Sequence, residues 1–522
     1  MGDVSNYRPV RRAVLLACAV LLAPAAAARG DVRLPAVFTD HAVLQRDKPL
    51  QVWGWAEPGE KVTVRLGAES GEAVAAKDGR WQVTLKPQPV SKAPLTLTAA
   101  GKNSVSAKDV LLGDLWLCSG QSNMSISLGG FLAAPGVKED IAAADFPLVR
   151  HFGVLEHFAD APQTDVKGEW LACAPRTAGR FSAVAFYFAR KVHSETGVPI
   201  GILRAAKGST RIESWLSEDT LLSTKELEPF ARTMRESLAQ WDRDKQDAAL
   251  RGVKPGAPEF PPYPFGEKVR RPRCVTLHNG MLAPLAPVAL RGAVWYQGEG
   301  NASDPKTAQE YAVRLRTLAR DWRRMFGDAD LPLFVVQLPG YREPSDAPAG
   351  GDAWAHLRES QRRALAPAHT GLAVTVDIGE AEDIHPKNKF DVGDRLARLA
   401  LADVYGKKLE RCGPLFRDLK IEGNKAVVAF HHVGAGLMVG IKDGRKPTEE
   451  AKGGRLARFA IAGKDRKWVW ANAEIAGDTV VCSHPDVPNP VAVRYAFSAN
   501  PAGANLYNRD GLPASPFRSD DW

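Results

Sequence analysis

Apolar positions recur along this chain with two different periods. From Leu34 to about Val110 they alternate in steps of two. The stretches LQVWGWA, KVTVRL, WQVTL and LTLTAA each show it, and EPGE supplies a turn. Alternation turns one face of a strand to a core and the other to water, so the spacing predicts a small β-sandwich-like domain over 31–110. From about Leu111 to Tyr405 the rhythm changes. DVLLGDLWLCSG, VPIGIL, LRGAVWYQ, LPLFVVQL and LAVTVDI read as buried strands. Between them Phe181–Thr196, Asp304–Met325, AWAHLRESQRRAL and Val392–Tyr405 carry helical spacing; in the second, Tyr311, Leu315, Leu318 and Trp322 share one face. Strands alternating with helices predict βαβ units, a mostly parallel sheet and an α/β domain over 111–405. After Gly406 the two-residue period returns in KAVVAFHH, RFAIAG, WVWANAEI, DTVVCS and VAVRYAF, which predicts a β-rich C-terminal region over 406–522.

Two stretches break the pattern. Residues 221–273 pass from a charged helical run into a segment rich in Pro, Lys and Arg, and read as an insertion: a lid or a surface excursion. Residues 1–30 hold Arg8, Arg11 and Arg12, then an apolar run from Ala13 to Ala23, then Pro24 and a string of alanines. This is the layout of a cleaved signal peptide, and it predicts a secreted or periplasmic protein. The apolar run is short of the roughly 20 residues a membrane span needs, and no later segment suggests one.

Composition narrows the classes further. The 522 residues are 45% hydrophobic and 25% charged, which is globular rather than disordered. Lys and Arg exceed Asp and Glu by 69 to 60, a surplus of +9 spread without a basic block, so nucleic acid is not an expected partner. Thirteen Trp residues suit either a core or a sugar-lined cleft. Beyond the leader stand Cys118, Cys173, Cys274, Cys412 and Cys482, with no C-x-x-C pair. A zinc site is not expected; up to two disulfides or buried free thiols both remain open.

The candidate chemistry falls just after the predicted strands, at the carboxyl edge where such sheets place their sites. Ser119-Gly120-Gln121-Ser122-Asn123-Met124 leaves the first strand and offers a Ser nucleophile, with Asn123 able to brace the turn. Gly208-Ser209-Thr210 follows VPIGIL, where backbone N–H groups can receive developing negative charge. Gly298-Glu299-Gly300-Asn301 follows the third strand, and the Asn301 amide is a candidate oxyanion donor. In DIGEAEDIHPKNK, His385 has Asp383 two residues and Glu382 three residues before it, either of which is able to orient an imidazole. Each cluster also has a plain structural explanation as a turn or a cap; four of them at one edge point to an active site.

LWLCSGQSNM, GST with ESW, WYQGEGNA and DIHPKNK, in that order, resemble the sialate O-acetylesterase family of the SGNH-type hydrolases. The likeness extends to LQVWGWAEPGEKV near the start and NPVAVRYAF and GLPASPF near the end. It implies an SGNH-hydrolase-like three-layer α/β/α domain flanked by the two β-rich regions. It implies Ser122 as nucleophile, His385 as base, the Gly208 N–H and the Asn301 side chain with the Ser122 N–H as an oxyanion hole, and no metal or organic cofactor. The chain departs from the family pattern at Lys207, Ser209 and Gly300, which bears on substrate preference. The general superfamily spacing favours Glu382 as the orienting acid and the nearer family favours Asp383; a Ser–His dyad, or Glu299 as the acid, stays open. The expected activity is removal of O-acetyl groups from carbohydrate, sialic acids first and xylan or another plant polysaccharide second. A non-catalytic sugar-binding protein is the rival from another class. Lys207 or Arg211 beside the cleft would suit an anionic sugar.

Overall fold

The computed structural model describes residues 31–236, 239, 274–365 and 368–522. The leader, residues 1–30, and most of the expected insertion, from 240 to 273, lie outside the described residues.

Seven strands form the central path. They are β7 (Ser104–Gly120), β8 (Phe146–Gly153), β9 (Trp170–Cys173), β10 (Ile200–Ala206), β11 (Gly292–Tyr296), β12 (Leu333–Val336) and β13 (Thr370–Ala373), in the order β13-β12-β11-β7-β10-β8-β9. All neighbours pair in parallel except β8 with β9. Every residue of β11 and β12 is buried, which is why their sequences are continuous apolar runs rather than alternating ones. The helices Ala183–Thr196 and Lys389–Asp403 pack on each other and on this sheet. A second pair, Pro305–Met325 and Ala353–Arg363, packs together as well. Ser182 caps the first helix by accepting the Ala185 N–H, and Gly197 ends it in the left-handed region. The expected strand LAVTVDI is shorter than its apolar run: it stops at Ala373. Thr375 then turns its hydroxyl onto Gln337 O and Arg395 takes Val374 O, so the chain leaves the sheet there.

The N-terminal β region is not a separate body. β1 (Val43–Gln45), β2 (Leu50–Trp55), β3 (Lys61–Leu66), β4 (Glu69–Val74), β5 (Arg80–Leu85) and β6 (Ser91–Ala100) precede β7. The first half of β7 pairs antiparallel with β6, and its second half pairs parallel with β10 and β11. One strand of 17 residues thus crosses the expected boundary at residue 110, and one apolar core runs from Val32 to the central sheet. The C-terminal region differs. Its strands form antiparallel sheets, and Val428, Phe430, Ile461, Val493 and Phe517 belong to a core of their own.

Trp116, Trp215, Trp295 and Trp322 are fully buried, so these four serve packing. Among the described residues Cys118, Cys173, Cys412 and Cys482 are buried free thiols, and Cys274 is buried too. Among the described residues no helix is long and apolar enough to cross a membrane.

Candidate active site

β7 ends at Gly120 with φ near +141°, and the chain turns at once into the short helix Ser122–Ser125. A side chain at Gly120 would meet the Tyr296 carbonyl, so glycine is required there by space as well as by backbone conformation. Gln121 N donates to Tyr296 O and locks the turn to β11. Ser122 consequently stands at the carboxyl edge of the sheet. His385 reaches it from the loop after β13, with Nε2 at 2.9 Å from Ser122 Oγ. Burial, and then the charge of Lys389, push the His385 imidazole below its ordinary pKa, which keeps it neutral and able to accept a proton. Gly208 lies against the same serine: a Cβ built on Gly208 would stand 3.4 Å from Ser122 Cβ. Neither the Ser122 nor the Gly208 N–H has a hydrogen-bond partner among the described residues.

Several sequence-predicted residues hold different posts from those expected. Asp383 Oδ1 accepts the backbone N–H of His385 at 2.8 Å but lies 3.7 Å from Nδ1, beyond hydrogen-bond reach of the ring. Glu382 is exposed and makes no ion pair or hydrogen bond among the described residues. Asn301 is fully buried, and its amide nitrogen is held by the Glu213 carboxylate at 3.0 and 3.3 Å. Its Oδ1 accepts Ile212 N and Gln297 Nε2. The amide expected to serve an oxyanion is thus committed to a carboxylate that the sequence reading left unassigned.

The buried layer beneath Ser122 explains that commitment. Gln297 Nε2 donates to Gln121 Oε1, Thr210 O and Asn301 Oδ1, joining the turns after β7, β10 and β11. Thr210 sends its hydroxyl to Lys207 O and takes the Trp215 indole N–H, a structural clamp. Glu213 pairs with Arg314 at 2.6 Å, both almost wholly buried. Burial pushes the Glu213 carboxyl up, and the Arg314 charge with the Asn301 hydrogen bond brings it below its ordinary value. A signal for this pair was available: Arg314 falls on the apolar face of its helix beside Tyr311, Leu315 and Leu318, and a charge there demands a buried partner. Asn123, expected to brace its own turn, instead donates to Glu299 Oε1 at 2.6 Å and to Ile384 O at 3.0 Å. Lys207 Nζ is paired with Glu156 at 2.9 Å. Among the described residues no group of His, Cys, Asp and Glu is arranged to hold a metal.

A family model for carbohydrate esterases, the sialic acid-specific acetylesterases, matches residues 265–402. The mouse sialate O-acetylesterase is 27% identical over 530 residues, covering 93% of this chain and 94% of that protein. The human protein of the same name is 26% identical over 535 residues, covering 93% and 92%. The crystal structure of a carbohydrate acetylesterase from Xanthomonas citri superposes with a TM-score of 0.79 at 36% identity, covering 94% of this chain and all of that one. Likeness of this extent, over a sheet edge that pairs a serine with a histidine, shows that the chain belongs to the sialate O-acetylesterase family of carbohydrate esterases and is a carboxylic ester hydrolase.

Proposed function

We propose that this esterase removes O-acetyl groups from carbohydrates, O-acetylated sialic acids first among them, through an acetyl-enzyme on Ser122. The observation that carries the mechanism is the 2.9 Å contact between His385 Nε2 and Ser122 Oγ, with the Ser122 and Gly208 N–H groups unpartnered among the described residues. Ser122 Oγ attacks the acetyl carbonyl carbon and its proton passes to His385 Nε2. The negative charge that forms on the carbonyl oxygen is received by the N–H groups of Ser122 and Gly208. The bond from carbon to the sugar oxygen then breaks, and His385 returns the proton to that oxygen. Water, deprotonated by His385, attacks the acetyl carbon; Ser122 Oγ leaves and regains its proton, and acetate departs. Asp383 contributes charge near the imidazole and holds the His385 backbone, so the reacting unit is a Ser–His dyad supported by Asp383. The sheet with its two helix pairs is assigned to the three-layer architecture of SGNH-type hydrolases. The sialic acid preference is supported by the family match and by the names of the curated relatives. Because Lys207 is neutralised by Glu156, it adds little to selection of an anionic sugar.

Acetate release from O-acetylated sialates, xylan and pectin, measured with wild type and Ser122→Ala, tests this reading. Release from sialates that vanishes in the variant is expected; faster release from xylan would overturn the substrate class. We further propose that the basic and apolar leader directs export and is removed. N-terminal sequencing of protein recovered from outside the cytoplasm should begin near residue 30; an intact leader would sink that reading.

A further inference from the structure

Beneath the reactive pair lies a buried amine that the steps above do not use. Lys389 opens the Lys389–Asp403 helix, is 1% exposed, and donates from Nζ to Asn123 Oδ1. The same Nζ lies 5.3 Å from the centre of the Phe131 ring and 5.5 Å from that of Tyr296. An ammonium only donates, so it dictates which end of the Asn123 amide faces it. The other end, Nδ2, is thereby aimed at Glu299 Oε1 and at Ile384 O, the residue before His385. One side chain, adjacent in sequence to Ser122, ties together the nucleophile turn, the Gly298–Asn301 turn and the histidine loop. The second Glu299 oxygen is buried and has no hydrogen-bond partner among the described residues.

We propose that Lys389 is a positioning residue for the hydrolysis: through Asn123 it holds the His385 loop against Ser122, and its positive charge bears on His385 from below. The inference rests on the reading of Ser122 and His385 as nucleophile and base. The charged and titratable groups around Lys389 are Tyr296 at the end of β11, Glu299 on the turn after it, and Glu380, Asp383 and His385 on the loop before the helix. Burial pushes the Lys389 amine down to about 7, against the pull of the three carboxylates. Burial likewise pushes the Glu299 carboxyl up, against the Asn123 hydrogen bond. Removing the Lys389 charge removes a repulsion that disfavours imidazolium, so His385 becomes more basic. The acid limb of kcat/KM then moves to higher pH. Removing the Asn123 bridge alone loosens the loop but leaves that charge in place.

The test is the pH profile of p-nitrophenyl acetate hydrolysis by wild type, Ser122→Ala, Lys389→Met and Asn123→Leu, with melting curves for each. Lys389→Met and Asn123→Leu should both lower kcat by up to about 10²-fold, as a misplaced reacting group does, with KM near normal. Only Lys389→Met should shift the acid limb upward. A Lys389→Met enzyme with the kcat and acid limb of wild type overturns the inference. So does an upward shift in both variants, which a merely loosened fold would give. If Lys389→Met does not fold, Asn123→Leu and Asn123→Ala carry the test, and wild-type kcat in both overturns it. Full activity in Ser122→Ala would instead remove the underlying reading, a separate outcome.

Discussion

The site is built from two layers of different physical character. The upper layer, Ser122 and His385, is half-buried and held by one side-chain hydrogen bond between them. The lower layer, Gln121, Gln297, Asn301, Glu213 and Arg314, is buried, and each member is bonded to at least one other. The upper layer must change partners during reaction, so it is left lightly bound. The lower layer has no water to fall back on, so its charge and amides must be matched in the fold. Chemistry and stability are therefore expected to separate by layer.

The largest effect belongs to the upper layer. Ser122→Ala and His385→Ala should each cost on the order of 10⁴–10⁶ in kcat, and the double variant little more, because the two act as one unit. Melting temperature should barely move. Additive losses, or a lowered melting point, would blur the two layers into one. Next in size is the lower layer. Glu213→Ala takes the partner from Arg314 Nε and leaves the buried guanidinium with Glu310 alone, and should destabilise the fold by ~3 kcal/mol, read from urea unfolding. A Glu213→Ala protein as stable as wild type would show that the layer is not the foundation described.

Asn301→Ala sharpens the boundary. As a lower-layer residue it should cost ~1–3 kcal/mol of stability by leaving buried partners unsatisfied. Were it an oxyanion donor, kcat would fall about 10²–10³-fold with stability almost unchanged. Comparing unfolding curves and kcat for this one variant decides between the layers. A pH profile tests the upper layer without mutation. The His385 pKa is lowered, so the neutral base persists to lower pH and the acid limb of kcat/KM should inflect below the ordinary histidine value of about 6.5. An inflection above that value would mean that burial and Lys389 do not act on His385 as described. The smallest effect is expected for Asp383→Asn. With no hydrogen bond to Nδ1, it should cost far less than the roughly 10⁴-fold loss seen where the acid grips the imidazole. A loss approaching that size would show that the carboxylate closes on the ring during turnover.

A second contrast separates the two flanking β regions. The alternating apolar pattern looks the same in both. Yet the N-terminal region shares β7 and a core with the central sheet, while the C-terminal region packs a core of its own. It meets the rest through polar ties such as Gln337 Nε2 to Ser515 Oγ and Tyr507 to Asp377, and lends only a few apolar residues, Cys412 and Ala499 among them, to the first core. Period two reports that a strand has a wet face and a dry one; it does not say which core the dry face joins.

The features legible along the chain are local. A buried apolar run closed by Gly120 places Ser122 at a strand's end, Ser182 and Gly197 bound a helix, and DIHP sets a histidine after another strand. These follow from backbone sterics, capping and burial, which act over a few residues. The choice of partners across long separations is set by how the elements pack. Asn301 meets Glu213 from 88 residues away, Arg314 meets it from 101, and Lys389 meets Asn123 from 266. Asp383 lies two residues from His385 in sequence and still misses the ring. A hydrogen bond depends on distances of a few tenths of an ångström and on direction. Those are set by how strands stack and loops meet, and residue spacing along one chain does not encode them.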